Sequence, residues 1–507
     1  MPRTPIRSLI PILCLLAAGL AAAADSSTSL TIYSQARPGA VSPDLYRPLP
    51  GRGGWSGPSV PGYAIVRQDR TVGLTRGRGT LEFTDVAALI DPTTVRFRSL
   101  TDPDGTRVLE QDYRFDLVST DRLLERYLDR PVTVHRGVGS ESEVLTGTLM
   151  STTGGLVLGM PDGTVEVVSQ YQRVGFPELP GGLITRPTLI WDVLSERAGS
   201  HRTRVAYETA GITWWADYNL TWNEGDDANS GTLDVGAWVS IVNQSGASYE
   251  DARLKLIAGD VQRGQAPGYQ QRVRTEALAM AMTDTAGFEQ KAFFEFHLYT
   301  LGRPTTLPDR STKQLELFPA AAGVPASKVL VYQGAGGYGS YGQPRTAREY
   351  GVASNPKVDV YVEFTNRQAD GLGVPLPAGR IRVSQVDGAD GSLEFIGEDV
   401  IDHTPRNEDV RIRLGSAFDV TGERVQRDFR IDTRAHWIEE DIEITVANRK
   451  EESVEVIVRE SLYRWSNWEI LSSSDEWEKA DAGTVRFPVT IPADTEKTVT
   501  YRVRYTW

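Results

Sequence analysis

Residues 93–100, 232–241, 293–301, 358–364, 441–446 and 498–505 largely alternate apolar with polar side chains. Successive side chains on a strand point to opposite faces, so this period of two commits each stretch to a half-buried antiparallel strand. Turn sequences separate such stretches: Pro103-Asp104-Gly105, Pro161-Asp162-Gly163 and Ala389-Asp390-Gly391. Helical periodicity is scarce. The chain is therefore expected to be mainly β and multidomain, built from antiparallel β-sandwich units with few short helices.

The first 24 residues carry an address. Arg3 and Arg7 precede an apolar run that is interrupted by Pro11, and Ala21-Ala22-Ala23-Ala24 offers a small-residue cleavage site before Asp25. That is the layout of a secretory signal peptide. No later stretch reaches the ~18 apolar residues a spanning helix needs, so an exported protein without a membrane span is expected. The only cysteine, Cys14, lies inside the signal and follows Pro-Ile-Leu rather than small residues. The exported chain then holds no thiol for a disulfide, a thiolate metal site or a nucleophile. About 480 residues can bury a sufficient core without cross-links.

Net charge is −13, and cleavage of the signal takes it to −15, with 52 Lys and Arg against 67 Asp and Glu. A scattered negative surface disfavours nucleic acid and anionic lipid.

Residues 25–62, rich in Pro, Gly and Ser, are expected to form a flexible leader. A first β unit covers 63–118. Residues 119–178 read as a short helix over 121–128, capped by Ser119 or Thr120 with Leu124 and Leu128 on one face, followed by five short strands. That series suggests a small barrel of the SH3 or Sm-like type. After a linker with three prolines, residues 184–507 are expected to form the C-terminal β-sandwich region.

Several short motifs stand in order along that region: Thr213-Trp214-Trp215-Ala216-Asp217-Tyr218, Asn243-Gln244-Ser245-Gly246, Leu256-Ile257-Ala258-Gly259-Asp260-Val261, Leu376-Pro377-Ala378-Gly379-Arg380, Phe395-Ile396-Gly397-Glu398-Asp399 and Asp402-His403-Thr404-Pro405. The series resembles a family of exported bacterial proteins that share a C-terminal domain of unknown function and are often labelled mucoidy-inhibitor-like. The resemblance implies a cell-envelope protein and brings no reaction or catalytic residue with it.

Among chemistry-bearing clusters, Glu398, Asp399, Asp402 and His403 fall within six residues. Oxygen ligands suit a divalent cation, which makes Glu398, Asp399 and Asp402 the metal candidates. A neighbouring imidazole can act as a base, which makes Glu398, Asp399 and His403 the catalytic candidates. Alternation on a strand, however, sends Glu398 and Asp399 to opposite faces, and Asp402-His403-Thr404-Pro405 also reads as a turn.

Gly334-Ala335-Gly336-Gly337-Tyr338-Gly339 matches G-x-G-x-x-G but leads into no helix, so no dinucleotide cofactor is expected. Ser340 lacks the first glycine of a nucleophile elbow. His436, Glu439 and Glu440 lack the second histidine of a zinc helix and read as a solvated edge. Trp214, Trp215, Tyr218, Tyr463, Trp465 and Trp468 read as core aromatics.

The expectation is an exported cell-envelope module that binds a protein or glycan partner or plays a structural part, with no cofactor. The alternative is an envelope-polymer hydrolase using paired carboxylates. A contiguous apolar patch on an edge sheet would favour a protein partner, and two carboxylates converging ~5–9 Å apart in a cleft would favour the hydrolase.

Overall fold

The structure, a computed structural model, describes residues 26–34, 41, 43–46, 60–137, 143–225, 227, 229–259, 261, 288–293, 296–335 and 342–507. The signal segment, Ser340 and most of the G-x-G-x-x-G stretch lie outside the described residues. The architecture is mainly β, with several multi-stranded sheets. Two compact units divide it. The first draws on Val66–Val86 and Asp91–Tyr207, the second on Leu30–Ile65, Ala87–Ile90 and Glu208–Trp507.

In the first unit, strand Thr188–Ser195 pairs antiparallel with both Gly77–Thr84 and Thr106–Arg114. This unit therefore runs past residue 184, where the sequence suggests a boundary. Trp191 lies fully buried between Phe83 and Phe97, and its indole N–H donates to Gln111 Oε1 at 2.8 Å. A buried Asp69 carboxylate accepts two bonds from Arg204, each 2.7 Å.

The same unit holds five short antiparallel strands, Pro131–Arg136, Glu143–Ser151, Leu156–Gly159, Val165–Val168 and Arg173–Gly175, where the sequence suggests a small barrel. They form one five-stranded sheet with Arg173–Gly175 and Val165–Val168 at its two ends. The helix ahead of them spans Thr120–Arg126, with Ser119 Oγ accepting the Arg122 N–H. It ends two residues earlier than expected. Leu124 is buried as anticipated, but Tyr127 takes the second core position and Leu128 is left exposed.

The second unit is built on one large sheet. Its strands are labelled here β1 (Ile212–Glu224), β2 (Ser230–Asn243), β3 (Ser311–Tyr332), β4 (Lys357–Thr365), β5 (Gly379–Val386), β6 (Leu393–Ile401), β7 (Asp409–Asp432), β8 (Trp437–Asn448) and β9 (Thr495–Thr506). The pairing order is β6-β5-β1-β2-β3-β4-β7-β8-β9. All contacts are antiparallel except β1 with β5, which run parallel.

Inward positions of β1, including Trp214, Ala216, Tyr218 and Leu220, are buried, as are Ile381 and Val383 on β5. A second core forms where β7, β8 and β9 pack on Val454–Ser461 and Thr484–Ile491.

Three buried asparagines fasten loops in this unit. Asn243 Nδ2 donates to the carbonyls of Ala247, Leu307 and Pro308, and its Oδ1 accepts the Ser245 N–H. Asn448 does the same with Glu452, Ile491, Pro492 and Lys450. Asn366 repeats it with Val374, Pro405 and the Gly373 N–H.

The described parts of the leader differ from expectation. Ser27–Tyr33 is a strand with Leu30 and Ile32 fully buried, and Val41, Leu45, Tyr46 and Val60 pack on Trp215 and Val242. Apolar residues at alternate positions within 27–33 give this segment a core to join, which its Pro- and Gly-rich neighbours obscure in the sequence.

Candidate functional site

The acidic run sits at the end of the sheet, on β6 and the turn that follows it. Glu398 points outward and pairs with Arg382 on β5 at 3.3 Å. Asp399 lies on the opposite side of the strand. Its Oδ2 accepts the backbone N–H of Arg413 on β7 at 2.8 Å, and its Oδ1 accepts the Val400 N–H. Asp402 Oδ1 accepts the N–H of His403, and Thr404 Oγ1 donates to the Asp402 carbonyl, a turn held by its own side chains.

His403 is also committed. Its Nδ1 accepts the Ala378 backbone N–H at 3.0 Å, so that nitrogen carries no proton and its lone pair is in use. Around it, Tyr299 donates to the Pro375 carbonyl, Tyr218 to the Pro377 carbonyl, and Leu376 and Thr404 exchange two backbone bonds. Burial pushes the phenols of Tyr218 and Tyr299 well up, so both stay donors. His297 stands nearby, its pKa lowered by burial and then by His403. Strand alternation and turn chemistry thus keep the catalytic candidates Glu398, Asp399 and His403 from converging. Among the described residues, no group of three His, Asp or Glu side chains is placed to hold a metal ion.

What gathers at this end of the sheet is a different constellation. Register aligns Trp238 on β2 with Asp217 on β1, Arg380 on β5 and Val400 on β6. The next outward row is Asn219, Arg382 and Glu398, followed by Thr221, Ser384 and Phe395, and then Val386 beside Leu393. Five large apolar side chains of this face are open to solvent: Phe395 (61%), Leu393 (59%), Val400 (50%), Val386 (44%) and Trp238 (40%).

Asp217 holds the centre from below. Its carboxylate is buried. Oδ2 accepts the Trp215 indole N–H at 2.7 Å and the Ser240 hydroxyl at 2.8 Å, and Gln314 donates to Ser240 in turn. Oδ1 lies 3.7 Å from Arg380 Nε and 3.8 Å from Arg382 Nη1. Burial works against the Arg380 charge, yet Tyr46, Asp217 and Glu398 outweigh it and raise its pKa. Both guanidinium groups thus lie within ion-pair range of one buried carboxylate oxygen.

Near the second core, the expected solvated edge at Glu439 and Glu440 is instead interior. Glu440 Oε1 stands 2.8 Å from Arg464 Nε with both side chains buried, and Glu439 pairs with Arg504. Arg464 also donates to the carbonyls of Arg345, Ala347, Arg348 and Tyr350. Arg424 and Glu460 form a second buried pair at 2.8 Å, and Tyr501 donates to the same carboxylate oxygen at 2.6 Å. Gly334 lies against this pair, since a Cβ there would stand 2.6 Å from Arg424 Cβ. The first glycine of the G-x-G-x-x-G stretch is required by packing on an arginine.

Sequence reasoning did not single out Trp238 or the apolar residues of β6 as exposed. No helix among the described residues is long and apolar enough to cross a membrane. Comparison with protein-family models, curated proteins and solved structures finds no match, so the family resemblance rests on its sequence motifs alone.

Proposed function

We propose that the protein is an exported binding module of the cell envelope, that its partner is a protein, and that the partner docks on the outward face of β2, β1, β5 and β6. The observation carrying this reading is the patch of Val386, Leu393, Phe395 and Val400 beside Arg380, Arg382 and Glu398. Exposed apolar clusters rimmed by polar groups mark protein interfaces, and aromatic residues and arginine dominate their energetics. The signal-like layout of residues 1–24 supports reading the module as exported. A hydrolytic role has less to draw on, because Glu398 is engaged by Arg382 and Asp399 by backbone N–H groups.

The test is site-specific photocrosslinking in cells. A crosslinker at Phe395 is expected to capture protein partners, and one at the exposed Val167 of the first unit is not. Capture should disappear with Val400→Asp. Should position 395 capture nothing, while the protein sediments with purified peptidoglycan in a Trp238-dependent way, a glycan partner replaces the protein one.

A further inference from the structure

We propose that the partner on this face is a second copy of the same chain, docked about a two-fold axis. This inference rests on reading the face as protein-binding, and it adds the identity of the partner.

The pattern along β6 is the reason. Its outward residues run Leu393, Phe395, Glu398, Val400, a charge flanked by apolar side chains on both sides. Directly across from Glu398 stands Arg382, so one unit of each sign shares the centre of the patch. A two-fold interface is isologous, meaning that residue i meets j and j meets i. An axis that lies in the interface, parallel to the strands and midway between β5 and β6, lays Leu393 of one copy over Val386 of the other, because these two residues are cross-strand partners. It also sets each Arg382 against the Glu398 of the other copy. A partner surface of one uniform sign would meet a like charge here, and juxtaposed like charges disfavour a complex. The face therefore matches its own rotated image better than it matches a uniformly acidic or basic surface.

Preorganisation adds to the case. Buried Asp217, fixed by Trp215 and Ser240, stands 3.8 Å from Arg382 and Glu398 stands 3.3 Å from it, so two carboxylates orient this guanidinium and lower the ordering cost of docking. Trp238, opposite Asp217, extends the patch on the far side from β6. On β6 the Val400 N–H is taken by Asp399 Oδ1 and Gly397 stands against Leu414 of β7, so the proposed contact is between sheet faces and adds no strand.

Sedimentation velocity of the purified protein over a wide concentration range tests this. A reversible dimer is expected. Phe395→Asp and Glu398→Arg should each raise its dissociation constant by ~10-fold or more, as loss of a central anchor does. Combining Glu398→Arg with Arg382→Glu should restore much of the affinity, because the swapped charges face each other again. Circular dichroism melting accompanies each variant. If Arg382→Glu fails to fold, because Asp217 loses its counter-charge, Phe395→Asp and Glu398→Arg alone carry the test.

A protein that stays monomeric at every concentration overturns the inference, as does a dimer indifferent to both variants. If the protein is monomeric and position 395 still captures other envelope proteins, the second-copy inference falls while the protein-binding reading stands. If neither association is seen, both fall.

Discussion

Asp399 Oδ2 accepts the backbone N–H of Arg413 at 2.8 Å, joining β6, the first strand in the pairing order, to β7 through a side chain. Gly397 permits the approach, because a Cβ there would stand 2.6 Å from the Leu414 carbonyl oxygen. Asp399→Ala strips the acceptor from two N–H groups, those of Val400 and Arg413. The contact is solvent-accessible and water can replace part of it, so a loss of about 1 kcal/mol is expected. Asp399→Asn, which keeps one carbonyl oxygen, should lose less. Urea denaturation midpoints check this, and wild-type stability in Asp399→Ala contradicts the stitch.

Arg424 and Glu460 are both almost wholly buried and share their site with Tyr501. Burial opposes the Arg424 charge, but the Glu460 carboxylate more than offsets it and keeps the guanidinium protonated. Removing one member strands a buried charge. Arg424→Met should therefore cost ~3–5 kcal/mol, whereas Arg424→Met with Glu460→Met should cost less than the two single changes added together. Additive urea-unfolding energies across that cycle would show that the pair is not coupled.

The strands were legible because alternation is local, and each of the six alternating stretches lies on or overlaps a strand. The open patch was not legible, for a reason visible at Phe395. By strict alternation, Phe395 shares a face with Gly397 and Ile401, both buried. An irregularity in the β5–β6 register, between Val383 and Ser384, lets Phe395 pair with Ser384 and turns it and Leu393 outward beside Glu398. A one-residue slip inverts every side chain beyond it, and nothing in a single sequence marks the slip. The buried ion pairs were hidden differently. Arg424 and Glu460 are 36 residues apart on separate strands, and each reads alone as an ordinary surface charge.

Asn243 and Asn448 end β2 and β8, and each donates to three carbonyls, including those of the pairs Leu307-Pro308 and Ile491-Pro492. The same device at two places predicts similar penalties. Asn243→Ala and Asn448→Ala should each lose about 2–3 kcal/mol, because buried carbonyls are left without donors. Asn→Asp at either site should do worse, setting a carboxylate against those oxygens. Thermal melting of all four variants measures this, and a penalty at one position only would show that the two are not equivalent.

His297, on the strand Phe296–Leu301, should make the second unit sensitive to acid. His297 has a lowered pKa in the folded protein because it is partly buried and faces His403, and its Nδ1 lies 2.6 Å from the neutral Gln290 amide. For His297, the unfolded chain binds a proton more readily than the folded chain. Stability therefore rises with pH across the window between the lowered folded value and the ordinary histidine value near ~6.5. Lowering the pH from neutrality through that window should reduce the unfolding free energy, and the loss should level off once both states are protonated. His297→Phe removes this titration, so its urea midpoint should change less between pH ~7.5 and ~5.5 than that of the wild type, a window chosen above the titration of ordinary carboxylates. An equal acid dependence in the two proteins would assign the sensitivity to groups other than His297.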